Sequence, residues 1–519
     1  MPYIFFVQDE WYVFGTFFSS GIKAIWSGIV FSRLGHFVPL GKILNYAVFS
    51  AFGLNSFPYN VLAIVIHSIN AFLVFLISGK LISNKFWRLI PPLVFLSSYI
   101  GYEQVGWPMV GLNAFSLSLL LIAWYAAFDI KKKDILKICV IPLLLVFATL
   151  ILESALPMFI FIPGFIIATN RKKIKQSIKV IAPILMVLVI YLAFRSVSLS
   201  HLVDNAQSAK GLKISELAYR VATKPIEYVA QSFIPQPFYL KLSSGITELF
   251  FPIVANHSLF SETRVFPVVA FVFGFLLLLM ILYISRKSHM FLVCLCFILI
   301  FSTPFLFVPG AAGNFSIFPS RYLYQGSVGS SLIFGLIGFY LLQKNRPLER
   351  IYFLLIVFVV ATGLWLNFTT NKRFYQEGQL RWSILSRINK LYPTLPQKVI
   401  FFTESDRSYY GLPSEEHILP FQSGFGQTLL IWQTQFERLP KGFYQDRFLW
   451  EISDQGYKEV DGRGFGYFRN FDLMFKIIQE YKLEKESVFA YRFNSSSNTL
   501  IDITQEVRGE IGAEMIKFK

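Results

Sequence analysis

Two adjacent carboxylates, Asp9 and Glu10 in "FVQDEWYVFG", offer the first chemistry along the chain. Side by side, one can take a proton while the other orients it or tunes its pKa, which suits a general base. A solvated loop pair would have the same spacing. The aromatic residues around them, Phe6 and Trp11 among them, are of the type found at a membrane–water interface. The stretch 31–55 that follows is apolar but broken by Arg33, His36 and Lys42, so it reads as a helix lying on the outer membrane surface. Arg33 and His36, near its start, are placed to meet an anion, whereas Lys42 fits a simple anchor equally well. Glu103 in "SSYIGYEQVGWP" stands at the outer end of a short span, and Glu153 in "LILESALP" lies between two apolar runs. Ionisable groups at membrane depth are costly and face a cavity or a partner. An ordinary short turn would also account for Glu153. His67 and Asn113 read as interhelical hydrogen-bonders. Arg195 in "YLAFRSVS" and Arg321 in "FPSRYLYQGSVGSS" are cations at the outer ends of spans. A guanidinium fork matches phosphate oxygens, although snorkelling to headgroups explains either one alone. Tyr322 and Tyr324 add hydroxyls and aromatic faces suited to a sugar.

The elements that must position these residues are membrane helices. The chain has 519 residues, of which 54 % are apolar and only 15 % charged, against roughly 25 % charged in soluble domains. That excludes a disordered chain and a soluble multidomain enzyme. Cys139, Cys294 and Cys296 all fall inside apolar stretches, which excludes a disulfide framework and a zinc cluster. No HExxH, P-loop, GxSxG, CxxC or GxGxxG context occurs. The net charge of +17 does not mark a nucleic-acid binder. From Lys372 onward, 20 basic and 19 acidic residues nearly cancel, and the excess lies in short Lys/Arg clusters such as 131–133 and 171–175 between apolar runs. Short basic loops of this kind stay in the cytoplasm.

Apolar runs between the clusters predict about ten spanning helices, near 58–79, 89–102, 109–128, 135–152, 155–169, 179–194, 265–285, 290–309, 321–342 and 351–371. The expected fold is an all-α polytopic membrane domain over 1–371, with outer loops 1–57 and 195–264. A small extracytoplasmic α/β domain over 372–519 completes it. In that tail, "KVIFFTESD" (398–406) reads as a buried strand, 470–486 as a helix capped by Asn470, and "SVFAYRF" with "NTLIDIT" as a closing hairpin around "NSSS". No signal peptide is visible, yet this topology puts Met1 outside, which a preceding helix would explain.

The ordered set resembles the GT-C superfamily of membrane glycosyltransferases. It runs from the acidic pair through "RLGHFVPL", "FPYNVLAIVIHSINAFLVFLI", a Glu before "VGW", "LES" and "YLAFR" to "SRYLYQGSVG". It is most similar to the protein O-mannosyltransferase and TMTC-like branch and its bacterial relatives, over about residues 1–340. The resemblance implies an enzyme of the cell membrane that takes a sugar from a polyprenyl-phosphate carrier on the outer face. The acceptor would be a hydroxyl of a protein, glycolipid or polysaccharide. It also implies no metal or other cofactor and no nucleic-acid partner. It makes Asp9 the base and Glu10 the second member of its pair, and it puts Arg321 at the carrier phosphate with Arg195 or Arg33 as the second cation. His36, Glu103, Tyr322 and Tyr324 would line the substrate site. Ser98 and Tyr99 stand where the family usually carries His-Pro before the residue matching Glu103. The expected chemistry is inverting transfer. Rival readings are a lipid-linked-glycan transporter or flippase, an O-antigen-type polymerase or ligase, and a non-catalytic membrane scaffold.

Overall fold

A polypeptide in hydrocarbon must satisfy every backbone polar group internally, so long uncharged runs fold there as helices. In a computed structural model of the chain, the described residues are 4–7, 10–23, 37–128, 135–169, 174–200, 214–251, 261–306, 317–342, 346–408, 416–421, 424–437 and 439–517. Among them, six helices are long and apolar enough to cross a membrane: Ser56–Leu81, Pro108–Ala127, Lys175–Ser196, Ser261–Ser285, His289–Leu306 and Arg346–Leu391. Three shorter apolar helices cover Lys137–Ile151, Glu153–Thr169 and Gly326–Tyr340. The run expected near 89–102 forms a helix of only 13 residues, Lys85–Ser97, which contains Pro91 and Pro92. Its start is set by Asn84, whose Oδ1 accepts from the amides of Phe86 (2.9 Å) and Trp87 (3.2 Å).

The chain divides into two compact units, one of residues 27–45 and 59–371, the other of 1–26, 46–58 and 372–519. The first unit is helical and holds most of the apolar runs. Within it, helix Lys85–Ser97 packs on Gly326–Ile337, Phe115–Ala127 on Ile135–Ile151, and Ile214–Phe233 along Phe266–Ser285. The last pairing differs from expectation. The segment 195–264 contains two well-formed helices, Ile214–Phe233 and Gln236–Phe250.

The second unit is built on a five-stranded sheet: β1 (Lys398–Ser405), β2 (Gly456–Val460), β3 (Arg463–Phe468), β4 (Val488–Asn494) and β5 (Thr499–Asp502), in the order β2-β3-β1-β4-β5. β1 runs parallel to both neighbours, with Ile400 opposite Gly466 on one side and Val488 on the other. A central strand covered on both faces needs apolar residues at consecutive positions, and "VIFF" supplies them. The two edge strands close as antiparallel hairpins. The β2–β3 turn is Asp461–Gly462, both with left-handed φ (51° and 79°), the backbone that a tight hairpin demands and that Asp-Gly favours. On one sheet face, helices Phe471–Glu480 and Thr504–Lys517 bury Phe402, Met474, Ile478, Val488 and Val507. Asn470 caps the former through its Oδ1 and the Leu473 amide, 2.9 Å away. On the other face, Phe425 of helix Phe425–Gln433 meets Tyr467.

The helix Glu10–Ser20 packs in this same unit against Phe425–Gln433. Phe6 and Phe14 meet edge-on at 4.8 Å, Phe5 approaches Trp432, and Arg381 Nε donates to the Phe6 carbonyl at 3.1 Å. Phe6, Trp11 and Phe14 are buried here, so they are core aromatics of this unit and not the interfacial belt their spacing implied.

Two outcomes follow. Ile478→Ala should destabilise the sheet unit by about 2–5 kcal/mol and Asn470→Ala by about 1 kcal/mol, an order that thermal unfolding of the full-length chain would read. At the sheet edge, Lys398 Nζ lies 2.7 Å from Glu459 Oε1 and holds that carboxyl below its ordinary range. The pair therefore contributes at neutral pH and loses its contribution as pH falls through the acid range. Being half exposed, it is worth less than about 1 kcal/mol, so Lys398→Met should slightly flatten the acid side of a stability–pH profile.

Candidate functional site

Glu103 sits in the one-turn helix Tyr102–Gly106, entered through a tight turn that Ser98 caps at the Ile100 amide. Its Oε2 accepts from the Arg321 backbone amide at 2.7 Å and its Oε1 lies 3.3 Å from Arg321 Nη1. That amide is one of the orphan first-turn donors of the short helix Ser320–Leu323, so the carboxylate both caps the turn and neutralises the cation. The Arg321 guanidinium lies against the rings of Trp107 and Tyr322, 5.1 and 4.9 Å from their centroids. Glu103 is nearly enclosed, but 31 % of the Arg321 side chain remains exposed. A planar cation held by a carboxylate and two aromatic faces, with donors still accessible, is suited to an anionic oxygen.

A second pair is built the same way. Glu153 occupies the 3-10 turn Glu153–Ala155 between two apolar helices. Its Oε1 accepts from Arg195 Nε at 2.8 Å and from the Phe37 amide at 2.9 Å. The chain is thus fixed at Phe37, just before helix Pro39–Phe52, by this carboxylate. Nearby in the same segment, the half-buried amine of Lys42 is held below its ordinary range by desolvation.

Gln325 joins the two pairs. It lies one helical turn beyond Arg321, and its Nε2 donates to Ser154 Oγ at 3.0 Å, next to Glu153. Beneath them, the Tyr324 hydroxyl contacts His67 Nδ1 at 2.8 Å and accepts from Asn70 Nδ2 at 3.1 Å. Asn70 Oδ1 accepts in turn from Ser118 at 2.7 Å. Tyr324 is fully buried in this network, a pin between helices. On another side, Tyr228 Oη donates to the Tyr322 carbonyl at 2.8 Å. Gln231 Oε1 accepts from the Phe318 amide at 3.0 Å while Gln236 Nε2 donates to the Phe318 carbonyl. The turn that presents Arg321 is thus clamped from three directions.

The structure brings together Glu103, Arg321, Tyr322, Glu153 and Arg195, linked through Gln325, Ser154 and the pinned Phe37. Asp9, Arg33 and His36 lie outside the described residues. Glu10 belongs to the other unit, buried in the first turn of Glu10–Ser20. Sequence reasoning missed Gln325, Ser154, Asn70 and the residues Arg220, Lys224, Glu227 and Gln231. The last four did carry a signal, because offsets of four, three and four residues place them on one helix face. Lys224 Nζ and Glu227 Oε2 pair at 2.9 Å with both side chains buried. Among the described residues, no group of three or more His, Cys, Asp or Glu is arranged to hold a metal ion.

A cavity of about 250 Å³ opens beside these elements. Its walls include Tyr99 and Ile100, just before Glu103, and Ser327 and Ser330, on the helix following Arg321. Phe334 and Phe358 supply apolar surface. Comparison of the chain with protein-family models, curated proteins and solved structures gives no match.

The Glu153–Arg195 contact should be energetically coupled. A double-mutant cycle of Glu153→Gln and Arg195→Met should return about 1.5–3 kcal/mol, measured by thermal unfolding. The same cycle on the exposed Arg373–Glu377 pair, 4.0 Å apart, should return about 0.3–0.5 kcal/mol.

Proposed function

We propose that the protein is an integral-membrane glycosyltransferase that moves a sugar from a polyprenyl-phosphate-linked donor to an acceptor hydroxyl on the extracytoplasmic face. The support is the pairing of one fixed, partly open cation with an apolar cavity. The cavity walls include Tyr99 and Ile100, which lead into the turn of Glu103, and Ser327 and Ser330, on the helix that follows Arg321. A lipid phosphate has these two parts, an anionic head and a hydrocarbon tail. Arg321 would stabilise the charge gathering on the departing phosphate. Glu103 orients that guanidinium, and the aromatic faces of Trp107 and Tyr322 border it.

In this reading the acceptor oxygen forms a bond to the anomeric carbon as the bond from that carbon to the phosphate oxygen breaks. The acceptor proton passes to a carboxylate, the role assigned to Asp9 with Glu10 beside it. The electron pair leaves on the lipid phosphate, already a stable anion. Arg195, held by Glu153, is the second cation. With all ten apolar runs crossing the bilayer, the sheet unit would lie outside the cytoplasm.

The buried Lys224–Glu227 pair favours a second reading, movement of a lipid-linked sugar through the membrane, because charges deep among spans mark polar pathways. The two separate in one experiment on the full chain in vesicles supplied with polyprenyl-phosphate sugars. Transfer to an acceptor, lowered about 10²–10³-fold by Arg321→Ala and strongly by Asp9→Asn, supports the enzyme. Undiminished transfer by the Asn variant removes Asp9 from the base role. Donor crossing the bilayer with no product formed supports the transporter.

A further inference from the structure

Helix Ile214–Phe233 is polar on the inside and largely apolar on the outside, and the neighbouring helix Gln236–Phe250 exposes a mixed surface. The first buries Arg220, Lys224, Glu227 (1 % exposed) and Gln231 (0 %), and the second buries Gln236, Ser243 and Thr247. The outer surface of the first carries Ile214, Tyr219 and Val221, whereas the second exposes Phe238, Leu242, Leu249 (73 %) and Phe250 (67 %) together with Lys241 and Glu248, the mixture of a helix at the edge of the hydrocarbon. An amphipathic helix on a water-soluble surface has the reverse arrangement. Polarity turned inward, as in Ile214–Phe233, fits a helix whose outer solvent is hydrocarbon and whose ionisable groups Arg220, Lys224 and Glu227 have been withdrawn from it.

The outer face is also continuous with a surface of the same character. Helix Ile214–Phe233 lies along Phe266–Ser285, part of the candidate span Ser261–Ser285. Gly274 of that span touches the Ile226 carbonyl, a close backbone approach that only a residue without a side chain permits. The exposed residues of the span, Val268, Val272 and Leu276, extend the apolar surface.

We infer that Ile214–Phe233 is a membrane-embedded helix whose outer face contacts bilayer hydrocarbon, with Gln236–Phe250 beside it at the bilayer boundary, its Leu242 and Leu249 toward the lipid, and not part of an extramembrane loop. Its inner face keeps Lys224 and Glu227 paired at 2.9 Å, away from lipid. The same face ends on Tyr228, Gln231 and Gln236, which clamp the Phe318–Tyr322 turn. The lipid surface is therefore one helix away from Arg321. This inference rests on the apolar helices crossing a bilayer and is independent of the sugar-transfer reading.

Nitroxide accessibility tests it. Single-cysteine variants Val221→Cys, Leu242→Cys and Leu249→Cys are made in a background with Cys139→Ala and Cys296→Ala, which retains the buried Cys294. The full chain is placed in phosphatidylcholine vesicles. Val272→Cys serves as the lipid reference, and Ser497→Cys, exposed in the sheet unit, as the aqueous one. The expected result is an oxygen-to-nickel-chelate accessibility ratio equal to that of Val272→Cys for Val221→Cys, and one severalfold above that of Ser497→Cys for Leu242→Cys and Leu249→Cys. Chelate access matching Ser497→Cys would overturn the inference. So would low access to both reagents with dipolar broadening, which would mean a second copy covers the face. A second measurement needs no substitution: diazirine-bearing phospholipids should tag peptides within 236–251 as well as 261–285 of the unaltered chain. Adducts confined to 261–285 would overturn the inference independently.

Discussion

The constraint on which this helical unit depends is the cost of an unpaired charge away from water. Removing one partner of a buried pair leaves an uncompensated ion, which is far more destabilising than never having had the pair. Glu103–Arg321, Glu153–Arg195 and Lys224–Glu227 answer this cost in the same way, and the first two do more than neutralise. Each carboxylate also accepts a backbone amide, of Arg321 or of Phe37. The ion pairs therefore set the chain path as well as the charge. Arg321 is held by its own main chain and its own side chain to one residue on a distant segment.

This explains which features were legible in the residues alone. Ionisable side chains are so rare among the apolar runs that Glu103, Glu153, Arg195 and Arg321 could be singled out one by one. Their grouping was not legible, because pairing across 218 or 42 positions of sequence depends on how helices pack. Gln325 and Ser154 were overlooked because uncharged polar residues are common, and only their 3.0 Å contact gives them meaning. The helices within segment 195–264 went unread for a different reason. The buried polar stripe Arg220, Lys224, Glu227 and Gln231 lowered the average hydropathy of a helix that exposes Ile214, Tyr219 and Val221, and an average hides a face.

In the sheet unit, local rules were enough for the pieces they govern. The buried strand at 398–405, the Asn470 cap and the β4–β5 hairpin follow from a continuous apolar run, a side-chain oxygen and a polar turn. The β2–β3 hairpin had an equally clear mark in Asp461–Gly462, which went unread. What no local rule contains is the inclusion of residues 1–26 and 46–58 in this unit. The aromatic side chains of that segment read as interfacial because the partner that buries Phe5, Trp432, lies more than 400 positions away.

That last arrangement has a bearing on synthesis. Phe5 and Phe6 precede the apolar helices between residues 56 and 371 in the chain, whereas Arg381 and Trp432, which complete the packing around them, are made only after those helices. Until then a bulky aromatic patch is uncovered beside a growing polytopic chain. A cell making this protein must shield that patch, through a chaperone or the bilayer surface itself, while the intervening helices are made.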